Sequence, residues 1–217
     1  METKYYIVAR IDGDYAWLNR TDAEEEPLFI ARVLLPEAID EGTKLKYEML
    51  QYEIIMKKPN PAVLDIGFGT GTLTVKLYEN SCEIYGQDFS SRMIELASAK
   101  MPNAHLYQSD FTRGLAEPLK RQSYDFIVAT YSIHHLRDDQ KIVFLNELLD
   151  HLKDDGKILI GDVAFRTREE LDQCKEKSGD EWDNDEIYCV AEELKAEFPS
   201  LVFRKVTFCS GILMLSR

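Results

Sequence analysis

The chain has 217 residues, of which 45% are hydrophobic and 30% charged, and its formal net charge is −13 at pH 7. This length predicts one large globular domain, or one domain with a small appendage, with enough residues to bury a sizeable core. So acidic a surface repels phosphate backbones, which excludes nucleic acid as the expected substrate unless a local basic patch forms.

Cysteine use and hydropathy narrow the class of protein further. The four cysteines lie far apart, without a C-x-x-C pair or a His/Cys cluster of zinc-binding spacing: Cys82, Cys174, Cys189 and Cys209. We therefore expect free thiols in a reducing cytosol and no metal site. The first residues show no signal-peptide pattern and no segment approaches a membrane span. The sequence thus predicts a cytoplasmic protein without a membrane partner.

Residues 1–58 are predicted to form a small β-rich module. Runs with strand character are separated by turn residues and lie at 5–11, 15–18, 28–35 and 44–49. The turn Asp12-Gly13-Asp14 predicts a hairpin between the first two runs, while residues 50–58 fit either a strand or a short helix. The orders Ile-Asp-Gly-Asp-Tyr-Ala and Leu-Pro-Glu-Ala-x-x-Glu-Gly resemble a small bacterial β family of unknown function.

Residues 59–217 alternate strand and helix patterns, which predicts an α/β domain with a doubly wound, mostly parallel sheet of seven strands. Its first five strands are predicted at 62–66, 83–87, 104–108, 125–130 and 157–163. Helices are predicted at 72–79, 90–100, 138–152, 167–177 and 184–198. The last runs, 201–208 and 212–215, predict an antiparallel hairpin that completes the sheet.

The most informative local pattern is a strand, a glycine turn and a helix that begins at residue 63. The turn contains Gly67, Phe68, Gly69, Thr70 and Gly71. Glycines allow a tight turn and close approach of a ligand, and the following helix directs free N–H groups at that ligand. A dinucleotide fingerprint requires glycine at the sixth position, where this chain has Thr72. Asp65 before the turn repels a pyrophosphate and suits a cationic ligand, which argues against a nicotinamide cofactor.

The spacing Asp65-x-Gly-x-Gly-x-Gly resembles the first motif of the class I S-adenosylmethionine-dependent methyltransferases. The resemblance extends from residue 62 to the C-terminus through Gly-Gln-Asp-Phe-Ser, Ser-Asp-Phe and Tyr-Ser-Ile-His-His-Leu, and is strongest to a small bacterial subgroup of undefined substrate. It implies the Rossmann-like methyltransferase fold with S-adenosylmethionine as cofactor. It also implies that Asp65 and the glycines lie beside the methionine part of that cofactor.

Residues after the second and third predicted strands complete the expected cofactor site. Asp88, about twenty residues beyond the glycine turn, can accept hydrogen bonds from both ribose hydroxyls. Asp110 can accept a hydrogen bond from the adenine amino group, and the backbone N–H of Phe111 can donate one to a ring nitrogen. Phe89 can pack against the adenine. The alternatives are a helix N-cap role for Asp88 and a turn role for Asp110. The resemblance places the cofactor contacts at matching positions.

The fourth predicted strand ends at Thr130, a further expected cofactor contact, and leads into Tyr131, His134 and His135. In the family this segment runs under the methyl group, so these last three residues are predicted to face the acceptor. A neutral imidazole can act there as general base. The alternative is that His135 packs against the following helix while His134 satisfies a backbone group. Asp162, after the fifth strand, is either a second base or a structural turn acid.

These residues predict an enzyme that transfers a methyl group from S-adenosylmethionine to a small-molecule acceptor by in-line displacement. No Asn/Asp-Pro-Pro-Tyr/Phe and no Pro-Cys follow the fourth strand, which argues against methylation of nucleobase amino groups and of cytosine C5. The acidic segment 166–198, with Trp182 and Tyr188, suits a cationic or amine-bearing acceptor, or else is a solvated helix face.

Two other functions stay open at this point. A methyltransferase acting on RNA or protein would be favoured by a basic patch, and its candidate residues are Lys120, Arg121, Arg166 and Arg168. A non-catalytic regulatory protein that binds S-adenosylmethionine is the third alternative. The role of the N-terminal module is also undecided at this point. The alternatives are closure of the acceptor pocket, formation of a homodimer and binding of a separate ligand.

Overall fold

The computed structural model describes residues 3–13, 15–36, 38–48, 51–56 and 60–217. The chain divides into two compact units, Met1–Pro59 and Asn60–Arg217. Asp14 of the predicted turn and residues 49, 50, 57 and 58 of the predicted module lie outside the described residues. In the described part of the chain, no helix has the length and hydrophobicity that a membrane crossing requires.

The N-terminal unit is one antiparallel sheet of five strands. The strands are β1 (Lys4–Asp12), β2 (Tyr15–Arg20), β3 (Leu28–Ala31), β4 (Lys44–Glu48) and β5 (Gln51–Met56), in the order β3-β2-β1-β4-β5. Side chains alternate along each strand, so that Val8, Leu18 and Leu45 on one face are almost fully buried together. For the described part of residues 50–58, Gln51–Met56, the strand alternative is the one observed, because β5 pairs with β4.

The second unit contains a sheet of seven strands flanked by helices. The strands are β6 (Ala62–Ile66), β7 (Glu83–Asp88), β8 (His105–Gln108), β9 (Tyr124–Thr130), β10 (Leu152–Phe165), β12 (Val202–Lys205) and β13 (Ser210–Leu215), with the two-residue β11 (Cys189–Val190) beside the end of β10. The helices are α1 (Thr74–Glu79), α2 (Ser91–Lys100), α3 (Asp138–Asp150), α4 (Arg168–Ser178) and α5 (Ala191–Glu197).

The strand order is β12-β13-β10-β9-β6-β7-β8, with β13 antiparallel to both of its neighbours. The other neighbouring pairs are parallel. Successive residues of β6 enter different cores, Val63 on one face of the sheet and Leu64 on the other. This confirms the predicted doubly wound sheet with its antiparallel C-terminal addition.

Three predicted helices differ from the structure by two residues or more at one end, and the first of them begins at Thr74 rather than at residue 72. The helix predicted at 138–152 ends at Asp150, because Leu152 already pairs with Tyr124 as the first residue of β10. The helix predicted at 184–198 begins only at Ala191, since Cys189 and Val190 pair with the end of β10. Residues 184–188 are irregular instead of helical. They include Glu186, which is not among the predicted site residues.

Candidate functional site

The predicted site residues gather at the carboxyl ends of the parallel strands, the edge where open α/β sheets bind ligands. The glycine turn follows β6, Asp88 ends β7 and Asp110 follows β8. Thr130 ends β9, and Asp162 lies near the end of β10. Five consecutive strands of the sheet, β10-β9-β6-β7-β8, therefore bring together residues that are spread over about a hundred positions of sequence.

The glycine turn has a backbone that other residues adopt only under strain. Gly67, Gly69 and Gly71 have φ values of 69°, 54° and 75°. A Cβ on Gly67 would lie 2.8 Å from the Cβ of Ser132, whereas a Cβ on Gly69 would meet no atom within 4 Å. Gly67 is thus required by packing, and Gly69 leaves an open concave surface on which a ligand can lie.

Asp65 is a buried carboxylate with unsatisfied hydrogen-bonding capacity. It is 1% exposed, and its Oδ2 accepts a hydrogen bond of 2.5 Å from the hydroxyl of Thr74. Its Oδ1 has no hydrogen-bond partner in the described part of the chain. Burial, with a smaller contribution from the charge of Asp88, raises the pKa of Asp65 to about 6 against the opposing Thr74 hydrogen bond. Such a group fits a cationic or hydrogen-bond-donating ligand at the glycine turn.

Asp88 connects the end of β7 to the glycine turn. Its Oδ2 accepts the N–H of Gly69 and its Oδ1 accepts the N–H of Ser90, both at 2.9 Å. The hydroxyl of Ser90 is the N-cap of α2, the role that the sequence left as an alternative for Asp88. Each carboxylate oxygen keeps a second lone pair, which is the acceptor capacity that two neighbouring hydroxyls require.

The residues predicted to contact adenine differ in exposure. Phe89 is 69% exposed and offers a free ring face. Phe111 is buried and stacks on Phe144 at a centroid distance of 6.1 Å, so only its backbone is suited to the predicted contact. Asp110 accepts hydrogen bonds from the N–H and hydroxyl of Thr112, and the hydroxyl bond lowers the pKa of Asp110. Asp110 thus caps the turn Phe111–Arg113 and stays partly exposed, which leaves it able to accept a further hydrogen bond.

The segment after β9 passes close behind the glycine turn. The Ser132 hydroxyl donates to the carbonyl of Ile66 at 2.9 Å, and the N–H of Tyr131 donates to the carbonyl of Gly161 at 2.9 Å. Tyr131 has a φ of 49°, which is rare for a bulky residue, and its side chain is largely exposed. The backbone is therefore held in a strained turn that presents the Tyr131 ring at the ligand edge.

His134 is buried and oriented by Asp162. Its Nδ1 lies 2.7 Å from Oδ1 of Asp162, while Oδ2 accepts the backbone N–H groups of Ile133 and His134. Asp162 is 2% exposed and occupied by these donors, so it orients His134 rather than standing free as a second base. The alternative in which the His134 ring satisfies a backbone group is not what the structure shows.

Glu186 reaches the same histidine from the segment before β11. Its Oε1 lies 3.3 Å from Nε2 of His134, and the N–H of the next residue, Ile187, donates to the His134 carbonyl at 2.9 Å. Burial acts to lower the pKa of His134, but the Asp162 hydrogen bond and the charges of Asp162 and Glu186 outweigh it and raise that pKa. The sequence marked this segment only as acidic and aromatic.

Lys141 of α3 is a second residue of the site that no sequence pattern indicates. Its side chain is 0% exposed, and its Nζ donates to the carbonyl of Ile187 at 2.6 Å and to Asp138 at 3.1 Å. A lysine in an amphipathic helix is ordinarily expected on the solvated face. Here it fixes the segment that carries Glu186 against His134.

His135 follows in the same 3₁₀ turn, Ile133–His135, and is exposed. The rings of His134 and His135 are 4.3 Å apart with an interplanar angle of 66°. The alternative in which His135 packs against the following helix is therefore wrong. The two remaining histidines lie elsewhere: His105 stacks on Tyr85, and Nδ1 of His151 lies 3.2 Å from the carbonyl of Gln122.

The sheet order, the reversed β13 and the glycine turn after β6 define an α/β protein with the Rossmann-like methyltransferase fold. Solved structures agree: the magnesium protoporphyrin IX methyltransferase of Synechocystis PCC 6803 with bound SAH aligns with a TM-score of 0.57 at 17% identity, covering 73% of this chain and 75% of that chain. An S-adenosylmethionine-dependent methyltransferase of Clostridium acetobutylicum aligns with a TM-score of 0.58 at 14% identity, covering 71% and 83%. At these identities the likeness concerns the fold alone.

Sequence relatives give the family. A family model described as "Methyltransferase domain" matches residues 63–156. An "Uncharacterized methyltransferase" of Anoxybacillus flavithermus is 38% identical over 123 residues, covering 57% of this chain and 56% of that protein. Another, of Bacillus licheniformis, is 30% identical over 158 residues, covering 72% of this chain and 71% of that protein. The chain belongs to the class I S-adenosylmethionine-dependent methyltransferases, a family whose cofactor is S-adenosylmethionine.

Proposed function

We propose that this chain transfers a methyl group from S-adenosylmethionine to a small-molecule acceptor by in-line displacement at the sulfonium methyl. The observation that carries the proposal is the pair of buried carboxylates, Asp65 and Asp88, on either side of an open glycine turn. Two negative charges there repel a pyrophosphate and attract a ligand with cationic and hydroxyl groups. The leaving group is already a cationic sulfur, so the protein's main task is positioning.

On the donor side, we propose one role for each predicted residue. Asp65 and the glycine turn, residues 67–71, hold the methionine part, with the unpartnered Oδ1 of Asp65 accepting from its ammonium group. The remaining lone pairs of Asp88 accept hydrogen bonds from the ribose hydroxyls. The exposed ring of Phe89 packs on the adenine, Asp110 and the backbone of Phe111 bind its polar edge, and Thr130 borders the methionine part.

On the acceptor side, we propose that Tyr131, His134 and His135 are the residues that contact the acceptor. They follow β9 directly, and the Ser132 hydroxyl bond to Ile66 joins their segment to the strand that leads into the glycine turn. Glu186 and Tyr188 border the same place, since Glu186 lies against His134 and the rings of His134 and Tyr188 are 6.3 Å apart. Acidic and aromatic groups together favour a cationic or amine-bearing acceptor.

A small acceptor is favoured over RNA by the state of the candidate basic patch. Lys120 pairs with Glu117 and Glu147, and Arg168 pairs with Glu193. Two of the four candidate cations are thus compensated by carboxylates, which reduces the positive surface that can attract a phosphate backbone. The net charge of −13 acts in the same direction.

The donor assignment is tested by Asp88→Ala, with S-adenosylmethionine binding measured by calorimetry. Loss of two hydrogen bonds to a charged group predicts an affinity at least about 100-fold weaker. Asp88→Asn, which keeps an oxygen for the N–H of Gly69, separates ribose binding from the shape of the turn. Asp154→Ala is the control, since Asp154 is fully exposed, and should change the affinity less than about twofold. An unchanged affinity of Asp88→Ala for S-adenosylmethionine would contradict the assignment of Asp88 to the ribose hydroxyls.

The acceptor class is tested by transfer of an isotope-labelled methyl group into a metabolite extract, a protein extract and RNA, followed by mass spectrometry. We expect the label in a small molecule, and in none of these pools when Asp88→Ala replaces the wild-type chain. Label confined to RNA or protein would contradict the proposal. Tight cofactor binding without transfer to any pool would support the regulatory alternative instead.

A further inference from the structure

Three side chains on the acceptor side offer ligand atoms to a common point. The ring nitrogens of His134 and His135 and a carboxylate oxygen of Glu186 lie within 4.8 Å of one another. They come from the 3₁₀ turn Ile133–His135 and from the segment before β11, which are distant in sequence. His134 is buried, the side chain of Glu186 is 27% exposed and His135 is exposed, so the cluster opens to solvent on one side.

We infer that His134, His135 and Glu186 form a binding site for a divalent transition cation of the zinc type. Two imidazoles and a carboxylate are a ligand set that Zn²⁺ uses with three protein ligands. Bonds of about 2.0–2.1 Å in a tetrahedral arrangement hold two ligand atoms about 3.4 Å apart. The 3.3 Å between Nε2 of His134 and Oε1 of Glu186 matches that spacing.

The charges around His134 also suit a cation at this point. When Nδ1 donates to Asp162, the Nε2 lone pair of a neutral imidazole faces the carboxylate of Glu186. Two electron pairs at 3.3 Å repel one another unless a positive species lies between or on them. That species is either a proton on Nε2 or a metal ion, and the third ligand atom, supplied by His135, favours the metal ion.

The surroundings hold the ligands as outer-shell groups do in metal sites. Asp162 bonds to the ring nitrogen of His134 that does not face the cluster, which is the carboxylate–histidine–metal arrangement. Two hydrogen bonds fix the segment that carries Glu186. The N–H of Ile187 donates to the His134 carbonyl, and the ammonium group of Lys141 donates to the Ile187 carbonyl. Buried Asp162 and Lys141 therefore orient two of the three ligands before any ion binds.

Three protein ligands leave one tetrahedral position open, as in catalytic rather than structural zinc sites. A water molecule or an oxygen, nitrogen or sulfur atom of the acceptor can take that position; the second use rests on the proposed function. The ion would hold the acceptor through that atom and would lower the pKa of the group that it binds. This inference departs from the sequence-based expectation of no metal site.

The test uses the full chain after treatment with a chelator. Zn²⁺ binding is measured by calorimetry, and Co²⁺ is titrated while its visible absorption is recorded. We expect one ion per chain and the strong absorption of tetrahedral Co²⁺. His135→Ala and Glu186→Gln should each weaken Zn²⁺ binding at least tenfold. His105→Ala and His151→Ala are matched controls at histidines outside the cluster and should leave Zn²⁺ binding unchanged.

Two results would overturn the inference. One is the absence of Zn²⁺ and Co²⁺ binding by the wild-type chain, and the other is equal affinity in His135→Ala and the two controls. Thermal unfolding of each variant shows whether it is folded. Because metal binding is measured without cofactor or acceptor, a failure of methyl transfer leaves the metal result standing.

Discussion

The donor side and the acceptor side of the site lie at the same edge of one sheet but are built differently. On the donor side the chain's own backbone makes the surface: three glycines with positive φ and the N–H of Gly69, which Asp88 fixes. On the acceptor side, side chains from separate elements meet: His134 after β9, Asp162 in β10 and Glu186 before β11. One side depends on local conformation and the other on packing.

This difference shows which changes each side should tolerate. A backbone surface is sensitive to added atoms and to residues that disfavour positive φ, and it is insensitive to most side chains nearby. An assembly of buried polar side chains is sensitive to the loss of any partner, because the remaining groups are left desolvated and unpaired. The following predictions test that contrast, beginning with the largest expected effect.

Lys141→Ala should destabilise the acceptor side most. It removes the cation that satisfies the Ile187 carbonyl from a site where the lysine side chain is 0% exposed. We expect the free energy of unfolding to fall by about 3–5 kcal/mol, measured by urea denaturation, because an unsatisfied buried carbonyl costs about 1–3 kcal/mol and the packing of the buried lysine stem is lost as well. Arg92→Ala is the control, because Arg92 pairs with Glu95 where both are well exposed, and should change it by less than about 1 kcal/mol. Equal small effects would show that Lys141 does not hold this segment.

Gly67→Ala should destabilise the donor side through its backbone. The alanine would adopt a φ of 69° and place its Cβ 2.8 Å from that of Ser132. We expect a loss of about 2–4 kcal/mol, from strain and from the clash together. Gly69→Ala, in the same turn, is matched in φ, at 54°, with no atom within 4 Å of its Cβ, and should lose only about 1–2 kcal/mol in the same urea experiment. Indistinguishable losses would mean that Ser132 moves aside without cost.

Asp65→Asn should stabilise the chain without cofactor while weakening cofactor binding. The folded-state pKa of about 6 lies above the ordinary value of 3.8, so ionisation of Asp65 lowers stability as pH rises from about 4 to 6, and the loss persists above that range. The shift corresponds to at most about 3 kcal/mol. At pH 7.5 we expect the variant to be about 1–3 kcal/mol more stable in urea denaturation. A variant that is less stable would show that the Asp65 charge is satisfied within the fold.

The same carboxylate predicts a pH dependence of binding. If Asp65 accepts from the ammonium group, its ionised form binds the cofactor, so wild-type affinity should fall by about tenfold between pH 7 and pH 5. Calorimetry of Asp65→Asn should show weaker and nearly pH-independent binding over that range. A wild-type affinity that is constant with pH would exclude Asp65 as the partner of the cationic group.

Particular elements show why part of the fold was readable from the sequence and part was not. β6 is apolar apart from Asp65 and leads directly into a turn of glycines, so its position and the turn after it follow from local preference. The helix predicted at 184–198 was placed too early, because pairing of Cys189 and Val190 with β10 overrides the local pattern. The end of α3 was placed too late for a similar reason, since Leu152 satisfies both a helical face and the start of a strand.

By itself the sequence determined the sheet and the family and predicted the residues offered to the cofactor, because a strand, a glycine turn and an acid at the next strand end are specified within short stretches of chain. Only the tertiary structure decided the acceptor side. The strand β10, the helix α3 and the segment before β11 meet around His134 and bring Glu186 and Lys141 there. The two residues depend on this packing for their roles, because burial holds charged groups in fixed orientations.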